Sequence, residues 1–194
     1  MTSYDSSTAL IVVDVQNDFA TPAGSLYVQE GETIVPVIND EIERARRAGA
    51  AVVYTQDWHP PSTPHFERDG GIWPVHCVGG TWGAEFHPDL VFEGEVVRKG
   101  SQGDDGYSGF TERDPASGQE KATPLEEVLR DKGIRRIVVV GLATDYCVRA
   151  TVLDALARGF DVTVVGNAIR PVEREPGDAD AAVREMTVNG AKLE

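Results

Sequence analysis

The chain has 194 residues, of which 41% are hydrophobic and 26% charged, a balance expected of a folded, water-compatible protein forming one domain over residues 1–194. Its 32 acidic against 18 basic side chains give a formal charge of −14, a field that repels nucleic acid and anionic lipid but is indifferent to a small neutral molecule. No apolar run reaches membrane-spanning length, the opening MTSYDSSTAL lacks the features of a secretion signal, and two cysteines are too few for a disulfide scaffold, so the cytoplasm is the expected compartment.

In chain order, the first strand is predicted at ALIVV (Ala9–Val13). A helix follows from about Thr33 to Ala48. It places Ile34, Ile38, Ile42 and Ala45 on one stripe, tolerates Pro36 in its first turn and stops at Gly49. A second strand, AVVYT (Ala51–Thr55), leads into a loop from Trp58 to Leu90 that is too long for a mere connector and reads as functional. A third strand, EVVR (Glu95–Arg98), precedes the helix in TPLEEVLRDKG, with Thr123 as N-cap, Pro124 at the first helical position, Glu126 closing a capping box and Gly133 as terminator. Then come strand RIVVVG (Arg136–Gly141), a helix in DYCVRATVLDALARG ending at Gly159, strand DVTVVG (Asp161–Gly166) and a helix in PGDADAAVREMTVNG ending at Gly190. The strands are nearly continuous apolar runs, which suits burial on both faces. The expected class is therefore α/β, a three-layer α/β/α domain around a central, mostly parallel sheet.

In such a sheet the carboxyl ends of the strands share one rim, where ligands bind. Asp14 follows the first strand, Asp57 and His59 the second, Lys99 the third, and Cys147 opens the helix after the fourth. A free cysteine is usually a small buried hydrophobe. Here, Thr144 or Asp145 is a suitable N-cap, which places the sulfur in the first turn of a helix. There the dipole lowers a thiol's pKa and free N–H groups face a developing oxyanion. Both readings of Cys147 stand on this pattern. Cys77 has no such setting and is expected to be structural. Asp14 is either a satisfied carboxylate or, desolvated at a strand tip, a general base. Lys99 is either a solvated strand-end charge or the cation that orients the other two, with Arg98 pointing the opposite way.

The stretch from Gln56 to Gly80 holds three of the four histidines. Asp57 and His59 are two apart and share a side of an extended stretch, and the loop's prolines and glycines let His65 and His76 return to them. A carboxylate with imidazoles suits zinc, iron or manganese. Unrelated loop histidines, or a purely structural metal, are the alternatives. His87 has no acidic partner at ligand spacing and is expected to be an ordinary loop residue. Phe19, Trp73 and Tyr107 lie in loops on the same rim, where they either pack beneath the loop or accept a flat apolar ring.

Taken together, DVQNDF, DWHPP…PHF…WPVHCV, RKG, YSGF and GLATDYCV resemble the nicotinamidases (pyrazinamidases) of the isochorismatase-like cysteine hydrolases, in register from Ala9 to about Ala191. The resemblance implies that family's three-layer fold and a catalytic triad of Asp14, Lys99 and Cys147. It implies one divalent metal ion on Asp57, His59, His65 and His76, ring-binding residues Phe19, Trp73 and Tyr107, and a cis peptide at Leu142–Ala143 that aims the N–H groups of Ala143 and Cys147 at the substrate oxygen. The implied reaction is hydrolysis of nicotinamide, and of pyrazinamide, through a cysteine thioester in NAD salvage. Family members often self-associate, so a homo-oligomer is also implied. The segment Thr111–Lys121 follows no part of the family pattern and is expected to be a surface excursion.

Three rival readings remain at this point. The same trio serves hydrolases of N-carbamoyl or ureido compounds, which are not expected to carry the metal-ligand set. Isochorismatases proper do not use a nucleophilic thiol. A non-catalytic binding module has no use for an activated one.

Overall fold

The computed structural model describes residues 2–194. Six strands form one sheet: β1 (Thr8–Val13), β2 (Ala51–Asp57), β3 (Glu95–Lys99), β6 (Arg136–Leu142), β7 (Asp161–Arg170) and β8 (Lys192–Leu193), in the order β3-β2-β1-β6-β7-β8. Every pairing in this sheet is parallel. Two further strands, β4 (Thr111–Arg113) and β5 (Glu120–Ala122), form a separate antiparallel hairpin. The segment that follows no part of the family pattern is thus a surface excursion, in the form of this hairpin.

The continuous apolar strands are explained by two cores, one on each face. Along β1, Ala9, Ile11 and Val13 join one core, and Leu10 and Val12 join the other. The first core receives Leu125 and Leu129 of α3 (Leu125–Asp131), Val152 and Ala155 of α4 (Arg149–Ala157), and Met186 of α5 (Asp178–Val188). The second receives Ile38, Ile42 and Ala45 of α2 (Val35–Arg47), the stripe that the sequence predicts. A single turn, α1 (Asn17–Ala20), follows β1. The layers are therefore α/β/α, and the sheet is wholly parallel. Among the described residues, no helix is long and apolar enough to cross a membrane.

Local departures from the sequence reading have local causes. The capping box at Glu126 does not form, because its carboxylate is taken by Arg130 and Arg158. Thr123 still caps, accepting the Leu125 N–H at 3.2 Å. The helix expected around Cys147 begins as a wide π-type turn, Thr144–Val148, before continuing as α4. The last helix stops at Val188, leaving Lys192–Leu193 to pair with β7.

Strand order fixes where the chemistry sits. The chain leaves β1 toward one edge and returns at β6 to build toward the other, so the rim above β1 and β6 is the switch point of the sheet. Gly141 allows these two strands to meet closely there. It adopts φ 114°, and a Cβ at this position would lie 2.1 Å from the Val13 carbonyl oxygen.

Candidate active site

Asp14 turns out of β1 in the left-handed region at φ 49°, a conformation that aspartate tolerates better than most residues. Its carboxylate is fully buried, and Thr55 of β2 donates a hydroxyl to Oδ1 at 2.7 Å. Lys99, the last residue of β3, brings its ammonium to 2.8 Å from Asp14 Oδ2 and 3.5 Å from Cys147 Sγ. The same ammonium donates to Asp57 Oδ1. Four strand ends thus place two carboxylates, an ammonium and a thiol in one buried cluster. Arg98 points away, bonding Gln56 at 3.1 Å and covering the Trp58 ring.

Burial raises the Asp14 carboxyl above its ordinary range, against the opposing pull of Lys99. Burial acts the same way on Asp57, but there Lys99 and His59 outweigh it and the carboxyl is held below the usual range. Lys99 is held firmly protonated, because Asp14 and Asp57 overcome the burial that would neutralise it. Burial also pushes the Cys147 thiol up. Lys99 opposes that shift, while the Asp14 and Asp57 charges add to it. This reverses the expectation from the helix dipole: in the resting site the sulfur is a thiol beside a carboxylate able to take its proton.

Beyond Asp57 lies the histidine cluster. His59, His65 and His76 each bring a ring nitrogen within 4.8 Å of the others. Asp57 Oδ2 faces them, 3.7 Å from His59 Nε2 and 4.0 Å from His76 Nε2. The δ-nitrogens of His65 and His76 are engaged from behind, by Asp105 at 2.7 Å and by the Pro74 carbonyl at 2.7 Å. That fixes which nitrogen of each ring offers its lone pair. Burial lowers His76 to about 4, despite Asp57, and the Asp105 carboxyl is held at about 2, foremost by its bond to His65. Both His59 nitrogens are buried without a hydrogen-bond partner, a costly state for an imidazole unless a further group meets it. One carboxylate and three imidazoles in this arrangement fit a divalent zinc, iron or manganese ion. Asp14, Asp57 and Cys147 also lie within ligand distance of one another, but the Lys99 ammonium already supplies the cation there.

Between the two clusters opens a small cavity whose lining includes Cys147, Ala143, Asp57 and His76. Phe19, Trp73 and Tyr107 all line it. Trp73 Nε1 donates to the Tyr107 hydroxyl at 3.0 Å, and Phe19 packs 5.4 Å from the His76 ring. The Leu142–Ala143 peptide is cis, and the Ala143 carbonyl accepts the N–H groups of Tyr146 and Val148 at 3.1 Å each, shaping the turn that presents Cys147. Every candidate residue named from the sequence therefore falls in this one region, while Cys77 and His87 lie outside the clusters. Cys77 is buried, with its N–H donating to Asp18.

Several contributors were not foreseen. Gln16 clamps the Asp57 backbone on both sides, donating to its carbonyl at 2.7 Å and accepting its N–H at 2.8 Å. Tyr146 lines the cavity and meets the Trp73 ring edge-on at 4.8 Å, and Arg174 covers that Trp73 ring from outside. The Gln16 site carried one usable signal, an amide two residues beyond a strand-end carboxylate. Tyr146, beside the thiol, carried another.

The family model described as the isochorismatase domain matches residues 8–193. A nicotinamidase of Escherichia coli is 38% identical, the match covering 95% of this chain and 93% of that one. Among solved structures, the pyrazinamidase of Pyrococcus horikoshii in complex with zinc is 41% identical with a TM-score of 0.86, covering 97% of this chain and 98% of that one. PnC1 from L. infantum in complex with nicotinate is 36% identical with a TM-score of 0.89, covering 100% and 95%.

Proposed function

This chain belongs to the isochorismatase family, and on that premise we propose that it is an amide hydrolase converting nicotinamide to nicotinate and ammonia, with pyrazinamide as a second substrate. The observation that carries the reading is the Lys99 ammonium, which touches Asp14, Asp57 and Cys147 at the foot of an aromatic-lined cavity. A binding module has no need of that convergence. The relatives named a nicotinamidase and a pyrazinamidase, and the neighbour holding nicotinate, support the substrate class.

In this mechanism Phe19, Trp73 and Tyr107 hold the flat ring and exclude water. Asp14 accepts the Cys147 proton as the sulfur attacks the amide carbon, a transfer favoured by the raised Asp14 carboxyl. The N–H groups of Ala143 and Cys147 receive the oxyanion. Collapse of the tetrahedral adduct breaks the C–N bond, and Asp14 returns its proton to the leaving nitrogen, which departs as ammonia. A water molecule, deprotonated by Asp14, then cleaves the thioester and regenerates the thiol. Lys99 steadies the negative charge as it passes between sulfur and carboxylate. Asp57, His59, His65 and His76 would hold one divalent ion, zinc being the ion in the P. horikoshii relative; when bound, it supplies a Lewis-acidic partner for the ring nitrogen and so orients the ring. The reaction belongs to NAD salvage in the cytoplasm. Two buried free thiols are in keeping with a reducing compartment.

Ammonia release from nicotinamide, pyrazinamide and N-carbamoyl or ureido compounds, compared between the wild type and Cys147→Ala, tests the proposal. The expected result is turnover of the two ring amides alone, abolished in Cys147→Ala with metal content intact. Retained turnover in the variant would remove the nucleophile assignment, and a preference for ureido substrates would favour the sister activity.

A further inference from the structure

We propose that Asp105 is a positioning residue that orients His65 as a metal ligand, and that the hairpin β4–β5 is the brace that holds it there. The inference rests on the metal reading of the histidine cluster given above. Of the three imidazoles, His65 alone has a carboxylate behind it, with Asp105 Oδ1 2.7 Å from Nδ1. A carboxylate in that place fixes the Nδ1–H tautomer, aims the opposite nitrogen's lone pair at the other ligands and makes it a stronger donor.

Asp105 is itself anchored by the hairpin. Its N–H donates to the Arg113 carbonyl at 2.7 Å, and its carbonyl accepts the Arg113 N–H at 2.5 Å. The Arg113 guanidinium lies 3.3 Å from Oδ2, and the Gly106 N–H meets Oδ1 at 2.8 Å. The same hairpin reaches a second ligand. Glu112 accepts the Gly100 N–H at 2.5 Å, and Gly100 packs so closely under His59 that a Cβ would come 2.6 Å from Nδ1. Both His59 and His65 are therefore backed by groups that β4 secures. The segment without a place in the family pattern acquires a role: it stiffens two of the three imidazoles.

The test is zinc affinity of the full-length, metal-stripped protein, measured by competition with a chromophoric chelator, for the wild type, Asp105→Ala, Asp105→Asn and His65→Ala. The expected result is one zinc per chain in the wild type and affinity weakened about 10–100-fold in Asp105→Ala. Asp105→Asn, which keeps an oxygen acceptor for His65, should fall between the two. Metal-free melting temperatures report whether each variant folds. Should Asp105→Ala not fold, Asp105→Asn carries the test, with the absorption spectrum of its cobalt(II) form expected to differ from that of the wild type. Wild-type affinity in the Asp105 variants, with affinity lost in His65→Ala, would overturn the role of Asp105 alone. Failure of the wild type itself to bind zinc would overturn the metal reading and this inference with it.

Discussion

Lys99 and Asp57 join the two halves of the site. The ammonium takes one oxygen of the carboxylate, and the other oxygen faces the histidines at 3.7 and 4.0 Å. One side chain thus belongs to the thiol cluster and to the metal-ligand cluster at once, so a change in either is felt by the other.

Lys99→Met is expected to abolish turnover and to destabilise the fold. It leaves Asp14 and Asp57 buried together without their common cation, and removing one partner of a buried ion pair costs about 3–5 kcal/mol. For a chain of this length that is a fall in melting temperature of about 10 °C. Thermal unfolding of the metal-free protein checks it, and an unchanged midpoint would show that the ammonium does not hold the two acids.

Asp14→Asn keeps the shape of the side chain and its bond to Thr55 but removes the proton acceptor. Turnover of nicotinamide should fall by about 10²–10⁴-fold with KM little changed, since Asp14 touches sulfur and ammonium and not the ring walls. A large rise in KM at unchanged kcat would reassign it to binding.

Gly100→Ala introduces a Cβ into a residue at φ 78° and 2.6 Å from His59 Nδ1. Displacement of the His59 ring is expected to weaken metal binding by at least about 10-fold, with turnover restored in part by excess zinc. Equilibrium dialysis against zinc measures it, and wild-type affinity would mean that the ring tolerates the methyl group.

Stripping the metal with a chelator is expected to lower turnover of nicotinamide by more than about 10-fold and to lower the melting temperature, with both returning on addition of zinc. A ligand present at a thousand times its Kd stabilises the folded state by about 4 kcal/mol. Differential scanning calorimetry with and without chelator reads this directly. Full activity in the chelated enzyme would separate the histidine cluster from the reaction.

Tyr54 supplies a pH dependence away from the site. Burial pushes its phenol up to about 12, against a small opposing effect of Arg46, and its hydroxyl donates to the Val91 carbonyl at 2.8 Å. The folded value lies above the ordinary tyrosine value of 10.0. The stability it contributes is therefore complete below pH 10 and is lost as pH rises from 10 through 12. Chemical denaturation in that interval should show the decline, and Tyr54→Phe should lessen it. An equal decline in the variant would assign the effect to other groups.

How far these features were legible depends on whether they are set by local pattern. Asp14, Lys99 and Cys147 stand at strand ends, and a parallel sheet sends strand ends to one rim, so pattern alone brought them together. The alternation of Leu10 and Val12 against Ile11 and Val13 carried the two cores in the same way. Asp105 was not legible, because it acts through one hydrogen bond to a residue forty positions earlier, and no periodicity encodes that. The direction of the Cys147 shift was misjudged for a related reason. The helix dipole can be read from the next few residues, whereas the burial comes from the whole fold and the two carboxylates that add to it arrive from two other strands. The capping box failed because Arg158, outside the helix, competed for Glu126.

The pairing of β1 with β6 also bears on how the protein matures. Strands that begin at residues 8 and 136 must lie side by side before acid and sulfur can meet, and so distant a pairing forms slowly compared with any helix in the chain. Catalytic competence should accordingly be among the last properties regained on refolding, trailing the far-ultraviolet helical signal, which makes ammonia release a reporter of the completed sheet.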